Sequence, residues 1–520
     1  MSFSDFAQYL RVADEIQGNR IIECLDREGL IADVRGDFSS LSFDSITSHS
    51  GRVSLGRAAL FCGMSGSAED GRRYVNEAIR QGALGLVLEA DGIPAELFSL
   101  EVPFVSVRDP RRALSALAAL GANQASREQN IIGVTGTNGK TTSVHLVLQF
   151  FALLGVPAAS IGTLGLRLNS IAGGEFVSGD VTTPDSLLLN SWCRDLLKRG
   201  VKHVGMEVSS HALAQKRVAD INISVAIFTN LTQDHLDYHG TLEEYAEAKY
   251  LLFRFPSIKL SIINYDDPTG RIFAERLKAE GRVVITVGRD PLCDYRIADT
   301  AIVDGQQLIR CSMFGREYSF LSPLLGPYNV YNLLGVLAAC EAFGFSRESL
   351  ISAIPDLSQA PGRLERFEFE GKGIYVDYAH TPDAVANVLN NVRTVTGKNV
   401  WVVFGCGGDR DRSKRPRMLE VARQVADRVV VTMDNPRTEE PAQIVADMVS
   451  SGIIPDMIEY DRRKAIRYAI ETAVEGDSIV IAGKGHEDYQ IIGTEKFPFS
   501  DQRVVEEYIG ESAGGTKNSV

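Results

Sequence analysis

The sequence has little that would let it bind polyanions: 54 lysines and arginines against 67 aspartates and glutamates leave a formal charge of −13 over 520 residues. Broad contact with DNA, RNA or an anionic membrane needs a basic face, so the composition argues against those partners. An anionic small molecule stays open, because a few local cations, amide nests and a metal can hold one whatever the net charge. Cysteine is sparse and scattered at Cys24, Cys62, Cys193, Cys293, Cys311, Cys340 and Cys406. Their odd number and the lack of any CxxC pair speak against a disulfide scaffold and a zinc ribbon. No run approaches the roughly eighteen apolar residues of a membrane span, and the opening MSFSDFAQYLRVADEIQGNR has no basic segment followed by an apolar core. A soluble, cytosolic protein is the expectation. Short-period repeats are also missing, and the one low-complexity stretch is the tail GESAGGTKNSV, expected to fray.

What is present suits packed cores, with 44% hydrophobic and 23% charged residues. At about 100–200 residues per domain the length predicts three compact units, divided near 112 and 358 into 1–112, 113–358 and 359–520. After residue 130 short β-branched runs alternate with helical stretches: IIGVTG and a helix from Thr141, then HVGMEVSS, VAIFTNLT and SIINYDD. A second series holds IYVDYAH, NVWVVFGCGGDR, RVVVTMDN and DSIVIAGKG. This alternation predicts α/β architecture with largely parallel sheets. The first 110 or so residues read as a mixed pattern ending in the strands GLVLEA and FVSVRD, and 285–325 as strands and turns before a helix near Asn329. Ligands of open parallel sheets sit at the carboxyl ends of strands, so the Gly- and Asp-rich turns there are where chemistry is expected.

The most specific local signal is IIGVTGTNGKTTSVHLVL. Amides of the turn Gly136, Thr137, Asn138 and Gly139 and of the following helix can cradle phosphate oxygens, Lys140 can reach the β- and γ-phosphates, and a hydroxyl of Thr141 or Thr142 can ligate Mg²⁺. The strict eight-residue pattern wants glycine where this chain has Val134; its glycines fall at 133, 136 and 139. Downstream, Glu207 in GMEVSSHALAQKRV and His235 in NLTQDHLDYHG each follow a strand, a carboxylate and an imidazole suited to a divalent ion that keeps several waters. The turn DNPR, Asp434 to Arg437, sets an acid, an amide and a guanidinium beyond the strand RVVVTM, a set suited to a zwitterionic amino acid.

These motifs, with the AK of AEAKY, PGRLERF, DYAHTPD, GCGGDRDRSKRPRM and AGKGHEDYQ, resemble the Mur ligase family over nearly the whole chain, most strongly from 131 to 490. The resemblance implies a three-domain α/β protein: a uridine-binding module, a P-loop ATPase and a Rossmann-like amino-acid module. It implies an ATP-dependent carbon–nitrogen ligase of cytoplasmic peptidoglycan precursor synthesis, acting as a monomer through an acyl phosphate. It makes Lys249 a carbamylated lysine assisting a second Mg²⁺, beside Thr141, Glu207 and His235 as the metal set. Thr182, Thr183, Ser209, Gln215 and Arg217 match positions that hold the muramoyl-dipeptide, with Val181 where an Asn often stands. Asn264, Asn329 and Asn332 resemble adenine-side contacts, helix capping being the alternative for the last two. Arg363, Asp377 and His380 match residues brought over the nucleotide by domain closure.

The DNPR tetrapeptide is similar to the diaminopimelate-adding members, because Arg437 can grip the second carboxylate that lysine lacks. With Asp434, Asn435 and Pro436 the same resemblance groups Arg410, Gly483 and Glu487, the last facing the distal amino group. The implied partners are UDP-N-acetylmuramoyl-L-alanyl-D-glutamate and diaminopimelate. In the first module the usual Asp-Ser-Arg is His49, Ser50 and Gly51, so only Ser50 carries over. Three other readings remain: a lysine-adding member, a folylpolyglutamate synthetase, and a non-enzymatic P-loop binding protein.

Overall fold

The computed structural model describes residues 9–65, 70–91, 93, 101–169, 176–177, 179, 181–396 and 398–515. The chain divides into two compact units. The first takes the described residues up to Asp299 with Arg310–Ser319 and Tyr331–Ile354; the second takes Thr300–Ile309, Phe320–Val330 and the described residues from Pro355 onward. Among the described residues no helix is long and apolar enough to cross a membrane.

The expected α/β architecture is present; the three large sheets are largely parallel, and Tyr489–Ile492 with Glu495–Pro498 form a separate antiparallel pair. In the first sheet Ser42–Thr47, Ala59–Gly63, Ala83–Glu89 and Phe104–Val107 run parallel, with Tyr9–Gln17 and Ile31–Arg35 antiparallel at the edges. The second sheet orders its parallel strands Ala158–Gly162, His203–Glu207, Asn130–Thr135, Ile223–Phe228, Leu260–Asn264 and Val284–Gly288. In the second unit Lys372–Asp377, Ser478–Ala482, Val400–Phe404, Arg428–Val431 and Met457–Ile458 are parallel, and Glu365–Phe369 is antiparallel to the first of them.

The strands form because their faces are both covered. Runs such as VAIF, VWVVF and SIVIA are buried at every residue, which gives continuous apolar text instead of alternation. The segment 285–325 carries strands Val284–Gly288, Tyr295–Val303, Gln306–Met313 and Arg316–Ser322, as expected. Helices begin at Lys140 and Pro327, one and two residues before the expected starts. Residue 112 lies in the first turn of the helix Pro110–Gly121, and 358 follows the short turn Ile354–Asp356. The tail departs from expectation in part: the helix Asp501–Gly515 runs through its first residues, while 516–520, like residues 1–8 of the opening segment, lie outside the described residues.

Candidate active site

The loop Gly136 to Gly139, expected to cradle phosphate, leaves the middle of its sheet. Asn130–Thr135 pairs with His203–Glu207 on one side and Ile223–Phe228 on the other, so the loop opens at the carboxyl end of the strands. Glycine is required at two places. Gly136 has φ 149° and a Cβ there would lie 1.9 Å from Thr229 Oγ1; Gly139 has φ 86° and a Cβ there would lie 2.6 Å from Asn332 Oδ1. The loop is pinned from the neighbouring strand: the Thr137 amide donates to Asn230 O (2.9 Å), the Asn138 amide to Asn230 Oδ1 (3.0 Å), and Thr229 Oγ1 to Asn138 O (2.6 Å). Lys140 Nζ donates to Gly136 O and Thr137 O, both at 2.8 Å, and Thr142 is buried behind it. Asn264 anchors the adjoining strand end by donating to Thr229 O at 2.7 Å. Neither Asn329 nor Asn332 caps the helix Pro327–Glu341, since both lie inside it.

Glu207 ends its strand buried, and it gathers hydroxyls. Its Oε2 accepts from Thr141 Oγ1 (3.1 Å) and Thr163 Oγ1 (3.2 Å), and its Oε1 from the Thr163 amide (2.8 Å). Five residues matched to the dipeptide converge here. Thr182 Oγ1 lies 3.2 Å from Thr163 Oγ1, Thr183 Oγ1 donates to Glu207 O (2.9 Å) and lies 3.2 Å from Ser209 Oγ, and Arg217 donates to Thr183 O (2.8 Å) and to Gln215 Oε1 (2.7 and 3.0 Å). Burial pulls the Arg217 guanidinium below its usual value, partly offset by Asp185. Ser50 makes a different contact, donating to Glu77 Oε2 at 2.9 Å. Beside Glu207 a small cavity is lined by Thr141, His145, Ser160 and Gly162. Burial, then Arg167, pulls His145 down to about 4, so its ring there is neutral near pH 7.

His235 is seven residues past the end of Ile223–Phe228, not at the strand tip, in a left-handed conformation (φ 53°). It is half-exposed, 3.4 Å from Asp234 and with its ring centroid 4.8 Å from that of His211. Lys249 rides on the helix Leu242–Tyr250, whose start is fixed by a capping box between Thr241 and Glu244. It is buried, donates to Gly136 O at 2.9 Å, and stands 4.2 Å from the Tyr245 ring centroid. Burial and then the neighbouring Lys140 push its pKa well below the usual lysine value.

The second unit brings two further sets together. Asp377 is buried and accepts from the Leu364 amide (2.8 Å) and the Ala379 amide (2.7 Å); burial raises its carboxyl, and Arg363 opposes that. The Arg363 guanidinium lies 4.7 Å from the Tyr378 ring centroid, and His380 Nδ1 is 2.8 Å from Tyr378 O. Asn329 donates to Leu325 O at 2.7 Å.

In the DNPR turn Asp434, Asn435 and Pro436 are buried. Arg437, left-handed at φ 51°, donates from Nη1 to Gly408 O at 2.7 Å, which lays its guanidinium along the GCGGDRD loop. Asn435 donates to Glu487 Oε2 (3.1 Å), Gln490 to Asp434 O (2.6 Å), and Gly483 packs where a Cβ would be 2.9 Å from Asp434 Oδ2. Arg410 is exposed.

Comparison with known proteins bears on the same segments. Residues 134–340 match the Mur ligase middle domain, and residues 362–485 match the domain described as Mur ligase, glutamate ligase domain. The chain belongs to the Mur ligase family. It is 42% identical over 475 residues, 88% of this chain and 93% of the relative, to a Geobacillus kaustophilus protein named UDP-N-acetylmuramoyl-L-alanyl-D-glutamate–2,6-diaminopimelate ligase. A solved structure of an enzyme with that name is similar at TM-score 0.69 and 33% identity, covering 96% of this chain and all of the other. A Mycobacterium tuberculosis folylpolyglutamate synthase, complexed with ADP and AMPPCP, shares the fold at TM-score 0.59 and 19% identity over 71% of this chain and 91% of its own.

Within this Mur ligase framework several residues escape sequence reasoning. Thr163 contributes two of the three hydrogen bonds on the Glu207 carboxylate, yet the TL of IGTLGL carries no motif. Tyr245 closes the pocket of Lys249, but one aromatic on a helix reads as core. Arg462 and Asp501, both fully buried, form an ion pair at 2.7 Å, and Arg462 also donates to Met433 O (3.3 Å) and Ala482 O (2.9 Å). It thereby ties together the strand ends that lead into DNPR and GKGHE. In the text Arg462 reads as a solvated charge within DRRK.

Proposed function

We propose that this chain is an ATP-dependent amide ligase that joins diaminopimelate to UDP-N-acetylmuramoyl-L-alanyl-D-glutamate in the synthesis of peptidoglycan precursors. The observation that carries the reading is Arg437, held by Gly408 at the end of its strand, in a chain 42% identical to a ligase of that name. An arginine fork binds a carboxylate, and diaminopimelate has one at its distal end where lysine has none. In this reading the chain divides as 1–112 for the uridine side, 113–358 for ATP and 359–520 for the amino acid.

The residues present fit a nucleotide and a magnesium ion. Two glycines clear the loop for close approach of phosphate, and Thr141, Glu207 and His235 offer the oxygens and one imidazole that such an ion accepts. Mg²⁺ would supply charge compensation on the phosphates. Lys140 leaves the carbonyls of Gly136 and Thr137 to meet the γ-phosphate, and Arg363 offsets the charge that spreads over the transferring phosphoryl group. Asn264, Asn329, Asp377 and His380 serve the rest of the nucleotide.

Thr182, Thr183, Ser209, Gln215 and Arg217 align the dipeptide so that its terminal carboxylate attacks the γ-phosphorus, breaking its bond to the β–γ bridging oxygen and giving an acyl phosphate and ADP; Ser50 serves the uridine side. The amine of diaminopimelate, held by Arg437, Arg410 and Glu487 with Asp434, Asn435, Pro436 and Gly483, then attacks the acyl carbon and expels phosphate. Positioning and exclusion of water do the work, with no nucleophilic side chain.

Lys249 fits its proposed carbamate for a physical reason. A lysine whose pKa is pushed well down gives up its proton more readily, and the freed amine can attack carbon dioxide; the new N–C bond forms and a proton leaves the nitrogen, giving an anionic oxygen ligand. The ligase assignment is tested by coupled measurement of ADP. Release should require both UDP-muramoyl-dipeptide and diaminopimelate, and turnover indifferent to either would contradict the assignment.

A further inference from the structure

One lysine in the proposed amino-acid pocket has no part in the chemistry above. Lys484 lies between Gly483 and Gly485, and its side chain is 0% exposed. An ammonium so deeply buried must be matched by acceptors, and here they all belong to pocket residues. Its Nζ is 2.9 Å from Glu487 Oε2, 3.1 Å from Asn435 Oδ1 and 3.8 Å from Asp434 Oδ1.

The orientation of Asn435 follows from this. Its Oδ1 accepts from Lys484 and from the Ile491 amide at 2.9 Å, so its Nδ2 must face Glu487 Oε2, at 3.1 Å. The opposite amide flip would set two donors against Nδ2, so Lys484 and Ile491 together decide the flip. Glu487 Oε2 therefore takes two hydrogen bonds, whereas its Oε1 takes none among the described residues. A carboxylate clamped at one oxygen and open at the other is fixed in its plane and ready for a single donor.

Charge points the same way. Arg462 and Asp501 offset each other, and Lys484 offsets one of the two carboxylates Asp434 and Glu487. Among these five groups one negative charge remains, at the Glu487 end of the pocket, which matches one ammonium; Arg437 and Arg410 stand outside this set, on the side proposed for the substrate's carboxylate.

We propose that Lys484 is a positioning residue for the distal ammonium of the amino-acid substrate. It does not touch the substrate; it sets Asn435 and Glu487 in the orientation that receives it and leaves one uncompensated carboxylate charge at the Glu487 end of the pocket. This rests on the diaminopimelate reading of the site.

Steady-state kinetics of the full chain test it, with each of the three substrates varied in turn. Lys484→Met keeps the side-chain volume and removes the ammonium. It should raise the KM for diaminopimelate at least about 10-fold, with kcat falling by less and the KM values for ATP and UDP-muramoyl-dipeptide within about 2-fold of wild type. Because Lys484 acts through Glu487, adding Lys484→Met to Glu487→Gln should raise that KM further by no more than about 2-fold. Lys484→Gln, which keeps one donor without the charge, should fall between wild type and Lys484→Met.

A folded Lys484→Met with wild-type KM for diaminopimelate would overturn the proposal. So would equal rises in all three KM values, full multiplication of the two effects, or failure of both Lys484 variants to fold, which would make the residue purely structural. If wild type itself does not turn over diaminopimelate, the functional reading fails instead.

Discussion

A lysine sealed from water beside a second lysine is a weak base, and this sets how Lys249 behaves. If it works as a carbamate, Lys249→Ala should lose most activity and regain part of it with short-chain carboxylates such as formate or acetate in the assay. Wild-type-like activity of Lys249→Ala without them would remove the carbamate from the mechanism. Arg437 makes a different residue-scale prediction. Loss of one charged hydrogen-bond partner is worth about 1.5–3 kcal/mol, so Arg437→Ala should raise the KM for diaminopimelate by roughly 10- to 100-fold while leaving that for ATP nearly unchanged. Equal changes in both constants would place the residue elsewhere.

Arg437 was legible in the sequence because DNPR is a contiguous tetrapeptide at a strand end. Thr163 was not, since its hydrogen bonds to Glu207 come from a residue with no distinctive neighbours; Lys484 lies inside the AGKGHEDYQ motif, but the motif shows neither its burial nor the partners of its ammonium.

Among elements, the loops that carry charge are held by buried arginines. Arg415, on the helix Lys414–Val425, is fully buried and binds Glu439 at 2.8 Å, Asp447 at 2.8 Å and Gly407 O at 3.1 Å, fastening the GCGGDRD loop to the segment after DNPR. The Arg415 hydrogen bond pulls the Glu439 carboxyl down to about 2, from an ordinary 4.5. A carboxylate with a depressed folded-state pKa contributes stability above its unfolded pKa and loses it as pH falls through the folded value. Thermal melts should therefore show this contribution fading between pH about 4.5 and 2, and Arg415→Met should be less stable at pH 7 but show a flatter decline through that window. An unchanged acid decline in Arg415→Met would remove Glu439 from the account.

The phosphate-loop element makes a steric prediction. Gly139→Ala meets both a left-handed backbone and Asn332, so it should weaken ATP use far more than a substitution in an exposed loop. Strand, loop and helix here were readable from one line of sequence because each is local. The capping roles weighed for Asn329 and Asn332 were not decided there, because the helix starts at Pro327, upstream of both.

For the whole molecule, the alternation of apolar runs with helical text was enough to foresee α/β sheets, since doubly covered parallel strands leave an unbroken apolar signature. Edge strands such as Ile31–Arg35, with a mostly exposed face, left no such mark. The charge of −13 also gains meaning. The proposed substrates are anionic or zwitterionic, so their attraction must come from local groups such as Lys140, Arg217, Arg363 and Arg437 instead of the overall field.

That places the central claim on the amino-acid pocket. A side-by-side assay of diaminopimelate, lysine and ornithine, with UDP-muramoyl-dipeptide and ATP held constant, measures it most directly. Because lysine and ornithine lack the second carboxylate, diaminopimelate should be favoured by at least about 100-fold in kcat/KM. Lysine or ornithine used as well as diaminopimelate would contradict the account.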